Sequence, residues 1–210
     1  WAATYEGCSL VDHAAWWGAF TTFLGTYPVL PNRLLRTEWE FVDSSITGSM
    51  GLSTGPQYDG MYMANHLSQG SSLVDRCRFE RSGNFDENAV GQGGLQCGSP
   101  PGGSIVPSWE FSNSAWNGNA GAKAPALYIW YGNFALRFFR CVFRDNVAYQ
   151  AGGAIFAQGP ALSSLVVEES VFDSNAVRKS STDTSGVDVT VRLSTGGFSI
   201  GEPIGFSVPI

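Results

Sequence analysis

The stretch CVFRDNVAYQAGGAIF, residues 141–156, joins two short strings, FRDN (143–146) and GGAI (152–155), and weaker copies of the pair recur along the chain. Moved upstream it falls on CSLVDHAAWWGAF, with Cys8 on Cys141, Leu10 on Phe143, Asp12 on Asp145 and His13 on Asn146. Moved downstream it meets VFDSNAV, with Phe172 on Phe143 and Asn175 on Asn146. Self-similarity at intervals of about 20 to 50 residues marks a repeat architecture.

Taking Phe143 as the anchor, the sequence places equivalents at Leu10, Phe41, Phe79, Phe111 and Phe172, spaced 31, 38, 32, 32 and 29 residues. Two positions earlier stand Cys8, Trp39, Cys77, Trp109, Cys141 and Ser170. One residue between two large or apolar ones reads as a strand with a buried face. Three positions after the anchor stand His13, Ser44, Ser82, Ser114, Asn146 and Asn175, side chains that satisfy backbone groups at a turn. A second apolar segment precedes each anchor by six or seven residues: Leu34-Leu35, Leu73-Val74, Ile105-Val106, Leu136 and Leu165-Val166-Val167. A third, mostly opened by glycine, begins at Gly60, Gly94, Ala126 and Gly153. No stripe of period 3.6 survives, and 26 Gly and 10 Pro would break helical repeats. The expected fold is therefore all-β, a parallel β-helix of about six coils of roughly 30 residues, with like positions stacked in columns. Stacked Asn side chains are expected to bond one another along the stack.

With 14% charged and 43% hydrophobic residues, the chain is expected to fold around an apolar core. A net charge of -6 argues against nucleic acid and anionic membranes as partners, and no apolar run approaches the ~20 residues of a membrane span. Residues 1–186 are assigned to the repeats. Residues 187–210, beginning with the alternating VDVTVRLS, are assigned to terminal strands that continue or cap the stack. Residue 1 already lies inside a coil and the GFSVPI end is apolar, so the chain is expected to be a segment of a longer one. Long turns are expected at SSITGSMGLSTGPQYDG (44–60) and NSAWNGNAGAKAPA (113–126).

Groups with chemistry are few. His13 and His66 are the only histidines, both at turns. Asp12, Asp43, Asp145 and Asp173 follow the anchors. Asp145 and Asp173, on adjacent coils, would lie about 5 Å apart, which suits either Ca2+ or a retaining carboxylate pair, although Asp is also a common turn former. Asp86-Glu87 reads as a solvated loop. Cys77 and Cys141, two coils apart, are too distant for a disulfide; stacked buried thiols and a Cys77–Cys97 bridge both stay open, with Cys8 in the same column. The aromatic residues Trp1, Trp16, Trp17, Phe20, Phe23 and Tyr27 suit packing beneath a neighbouring coil, or a face for carbohydrate or protein. No catalytic, cofactor-binding or metal-binding residue is assigned.

FRDN with GGAI, and the copies FDSN and FDEN, resemble the FxxN and GGA[ILV] repeats of the chlamydial polymorphic outer membrane proteins and related pectin-lyase-like β-helices. The resemblance spans residues 8–180 and implies a right-handed parallel β-helix, exported to the cell surface, with adhesive or structural work. It implies other copies or protein subunits of a surface assembly as partners, and carbohydrate as a further class. It carries over no catalytic residue. A polysaccharide lyase or glycoside hydrolase is the alternative, because such folds host many.

Overall fold

The computed structural model describes residues 2–12, 14–15, 20–23, 38–48, 50–51, 61–64, 71–83, 85, 95–98, 108–123, 125–130, 134–158, 162–177, 188–189 and 206–207. Among these, all regular structure is β. The first sheet has six strands, in the order Ala2–Glu6, Glu38–Val42, Ser71–Asp75, Ser108–Ser112, Phe134–Phe139 and Leu162–Glu168. The second also has six, ordered Ser9–Val11, Ser45–Thr47, Arg78–Glu80, Ala115–Asn117, Val142–Arg144 and Val171–Asp173. The third runs Phe20–Phe23, Met61–Ala64, Leu95–Gly98, Leu127–Trp130 and Ile155–Gln158. Pairing in all three is parallel, and spatial order follows chain order. Each pass of the chain thus lays one strand on the first sheet and the next on the second, about 4.8 Å beyond its predecessor.

Two sharp corners shape every pass. The first is made by Gly7, Asp43, Arg76, Asn113, Arg140 and Glu169, the second by Asp12, Gly48, Arg81, Gly118, Asp145 and Ser174, all with φ between 46° and 67°. Left-handed backbone costs a side-chain-bearing residue about 1–2 kcal/mol. The cost is offset because the corner N–H groups are bonded to the next pass, as in Arg76 N to Ser112 O (3.1 Å) and Asp145 N to Asp173 O (3.1 Å). Glycine is required at Gly83 (φ 113°), where a Cβ would run into the backbone carbonyl of Ala120.

The apolar interior holds two parallel files. In the second sheet, Leu10, Ile46, Phe79, Trp116, Phe143 and Phe172 are in register. In the first, the file is Tyr5, Phe41, Val74, Phe111, Phe138 and Val167. Rings stack along each file, with centroids 5.1 Å apart for Phe79–Trp116, 4.7 Å for Trp116–Phe143 and 4.6 Å for Phe143–Phe172. Between files they meet edge to face, as in Phe111–Trp116 and Phe138–Phe143.

The single anchor column read from sequence is therefore a composite. Leu10, Phe79, Phe143 and Phe172 share a file as expected, but Phe41 and Phe111 belong to the neighbouring one. The register slips by five residues in two passes, because each pass presents two aromatic-bearing strands with a similar pattern. The file members are spaced 36, 33, 37, 27 and 29 residues. Consequently the supposed turns at 44–60 and 113–126 contain strands: Ser45–Thr47, Met50–Gly51, Ala115–Asn117 and Ala120–Lys123. Trp116, read as part of a loop, is fully buried. The small residues that suggested a loop, Ala120 and Ala122, are buried where the chain packs closely. Leu34-Leu35 and Ile105-Val106 lie outside the described residues, and the first-sheet strands of those passes are Glu38–Val42 and Ser108–Ser112. The third-segment alignment holds at Met61, Leu95 and Leu127, with Ile155 as the fourth member, one residue later than Ala154. Of the strand expected after residue 186, Asp188–Val189 is described, paired antiparallel with Phe206–Ser207.

Candidate functional site

Most polar side chains of the two corners bond to the adjacent pass. In the corrected register the residue after the first corner is Cys8, Ser44, Cys77, Ser114, Cys141 and Ser170, a strict alternation. Each serine hydroxyl accepts the backbone N–H of the preceding cysteine, at 3.0 Å for Cys8–Ser44, Cys77–Ser114 and Cys141–Ser170. It donates to the carbonyl two residues back, as Ser114 does to Ser112 O at 2.7 Å. Each buried sulfur in turn receives the N–H of the preceding serine, Ser44 at Cys77 and Ser114 at Cys141. The thiols donate to Phe41 O (3.2 Å) and Phe111 O (3.3 Å). Burial pushes both thiols up to about 11, outweighing the N–H bonds they accept. Cys8, Cys77 and Cys141 are free, so the Cys77–Cys97 bridge is not formed.

At the second corner, Asn119, Asn146 and Asn175 form a ladder. Asn146 Nδ2 donates to Asn175 Oδ1 (2.7 Å) and Trp116 O (3.0 Å), while its Oδ1 accepts from Asn119 N and Nδ2 (3.1 and 3.0 Å). The expected stacking of asparagines is thus present, with Asn119 as a member that the misplaced register hid. Ser44 and Ser114, expected at this corner, sit at the first one. His13 lies outside the described residues.

Beside the first corner, Asp75 and Arg76 anchor a polar cluster that sequence reading missed. Asp75 Oδ1 accepts from Ser112 Oγ (2.7 Å) and Asn113 Nδ2 (2.9 Å), and its other oxygen meets Arg76. Burial would raise the Asp75 carboxyl, but Asn113, Ser112 and the Arg76 charge together hold it below the usual range. Arg76 also grips Asp43 through Nε and Nη2, at 2.6 and 2.8 Å, and lowers that carboxyl too. Only the register of three passes joins Asp43, Arg76, Asp75 and Asn113 in one cluster.

The described residues form a groove of about 510 Å3 across the outer face of the first sheet. Its small side chains, Ser71, Ser108, Ala135 and Ser164, stand in register on successive strands. A second column, Glu40, Leu73, Glu110, Arg137 and Val166, borders them. Arg137 pairs with Glu168 (2.9 Å) and Glu110 (3.4 Å), while Glu40 accepts from the Thr4 hydroxyl (3.0 Å). Hydroxyls, carboxylates and apolar side chains alternate along its lining. Among the described residues that line it there is no histidine.

The carboxylate pair suspected from sequence is not assembled as expected. Asp173 stands in register with Arg144, not Asp145, and is bonded to it at 3.0 Å. Asp145 is a corner residue joined to Asp173 through its backbone N–H. Among the described residues no group of three or more His, Cys, Asp or Glu side chains is gathered to hold a metal ion. His66 and Asp86-Glu87 lie outside those residues, as do the side chains of the N-terminal tryptophans. No helix of the described residues is long and apolar enough to cross a membrane. Comparison with protein-family models, curated proteins and solved structures finds no match to this chain.

Proposed function

We propose that the chain is a segment of a right-handed parallel β-helix that does noncatalytic structural or adhesive work at a cell surface or in an extracellular filament. The observation that carries this reading is where the polar side chains go. The Cys/Ser ladder, the Asn ladder and the Asp75–Arg76 cluster all bond pass to pass, so the chemistry of the described residues serves the rod itself. Secretion rests on the FxxN/GGAI resemblance. Electron microscopy of the purified chain should show short rods, and immunolabelling of source cells should place it outside the membrane. Label confined to the cytosol would overturn the surface role.

The groove favours a second reading, a polysaccharide lyase or glycoside hydrolase, because it spans five strands and carries Glu40 and Glu110 on one border. Incubation with polygalacturonate and other linear glycans, followed by absorbance of unsaturated products and reducing-end release, separates the two. Turnover lost in Glu110→Gln would establish the enzyme; its absence on every glycan leaves the rod.

A further inference from the structure

We propose that the groove on the first sheet binds a cationic, β-linked glycan of glucosamine units, one sugar to each pass. The proposal deepens the adhesive reading above and rests on it for an external glycan to meet. The groove runs across the strands, so its side chains recur at the strand spacing of about 4.8 Å. Ser71, Ser108 and Ser164 present exposed hydroxyls in one column, interrupted only by Ala135. A surface that repeats at this step suits a ligand that repeats at a similar one, as the sugars of an extended glycan do. Sugar hydroxyls would exchange hydrogen bonds with the serines. Leu73 and Val166, in the bordering column, would meet the apolar faces of the rings.

Charge and period together select the ligand. Glu40, Leu73 and Glu110 are in register on consecutive strands, so a carboxylate recurs every second pass, about 10 Å apart. Both are the glutamates of the repeated WEF strings, Trp39–Phe41 and Trp109–Phe111. Among the described residues Glu40 meets no cation and accepts from the Thr4 hydroxyl. Arg137 lies closer to Glu168 (2.9 Å) than to Glu110 (3.4 Å), and Glu40, Glu110 and Glu168 outnumber it. In an extended β-linked glycan successive sugars are turned over, so amino groups face the same side at every second unit. Two sugars then span two passes, and an ammonium group falls at each glutamate. An extended peptide fits worse, because its same-face residues recur about every 6.6 Å. A polyuronate would be repelled by the same carboxylates.

Isothermal titration calorimetry of the chain with a fully deacetylated chitosan hexamer should show binding that weakens as salt is added. The N-acetylated hexamer, which lacks the charge, should bind severalfold more weakly, and a polygalacturonate oligomer should not bind. Glu40→Gln and Glu110→Gln should each weaken the chitosan complex about two- to fivefold, as the loss of an exposed ion pair does. Glu80→Gln makes the same charge change on the second sheet and should leave the affinity as it was. Far-UV circular dichroism verifies that each variant is folded. Absence of chitosan binding overturns the proposal, and so does equal affinity for the N-acetylated hexamer. Oligolysine bound as tightly as chitosan, or an equal loss in Glu80→Gln, would reduce the groove to general acidic attraction and overturn it too. None of these results touches the rod reading, whereas cytosolic label would overturn the surface role and leave the binding intact.

Discussion

At the scale of single residues, the alternation of Cys and Ser shows how a thiol and a hydroxyl share one task. Both are small, and both accept an N–H from the preceding pass while donating to a carbonyl. Cys77→Ser should therefore cost at most about 1 kcal/mol, whereas Cys77→Val leaves the Ser44 N–H unpaired in the core and should cost roughly 1–3 kcal/mol. Urea denaturation at neutral pH compares the two. The thiols also set an alkaline limit. Their folded pKa is raised from 9.0 to about 11, so the unfolded chain ionises first. The stabilising term is fully present below about pH 9 and is lost as pH climbs toward 11. A Cys77→Ser, Cys141→Ser double variant should lose less stability between pH 8 and 10.5 than the wild type; an unchanged slope refutes the assignment.

At the scale of the element, short strands of three residues cannot hold themselves, and the corners between them supply the missing bonds. Asn146 is fully buried and joins three passes through Asn119, Trp116 and Asn175. Asn146→Ala should cost about 3 kcal/mol or more, because several buried donors and acceptors lose partners at once. Ser174, an exposed residue of the same corner, donates to Asp173 Oδ1 within its own pass (3.0 Å), so Ser174→Ala should cost distinctly less; equal losses in thermal unfolding would remove the ladder's special role. On the outer surface, Arg137, Arg140 and Arg144 on one pass meet Glu168, Glu169 and Asp173 on the next. These pairs are exposed and each adds little, but together they favour one register.

At the scale of the whole molecule, the described strands of the three main sheets pair with those of neighbouring passes, so stability is distributed along the stack. The amides of Ser45, Arg78, Ala115, Val142 and Val171 occupy equivalent positions, each bonded to the carbonyl of the preceding pass. Hydrogen exchange should be slowest at Ala115 and Val142, beside the fully buried Trp109, Trp116, Phe138 and Phe143, and faster at Ser45 and Val171. One common rate for all five would show instead a single cooperative unit.

The repeat, the β class and the parallel stacking were legible in the sequence, because aromatic residues at strand spacing followed by turn formers are a local pattern. Phe79, Phe143 and Phe172 were correctly grouped, as were Asn146 and Asn175. The repeated WEF of residues 39–41 and 109–111, 70 residues apart, carried the missing signal: passes of two kinds alternate, one with Ser and one with Cys at the first corner. A period of one pass cannot be matched by eye when adjacent passes differ. Only the tertiary structure decided which aromatic residue belongs to which file, since a pass holds two inward strands whose patterns are alike and lateral hydrogen bonds choose between them. It alone gathered Asp43, Asp75, Arg76 and Asn113, whose sequence separations say nothing of proximity until the strands are laid side by side.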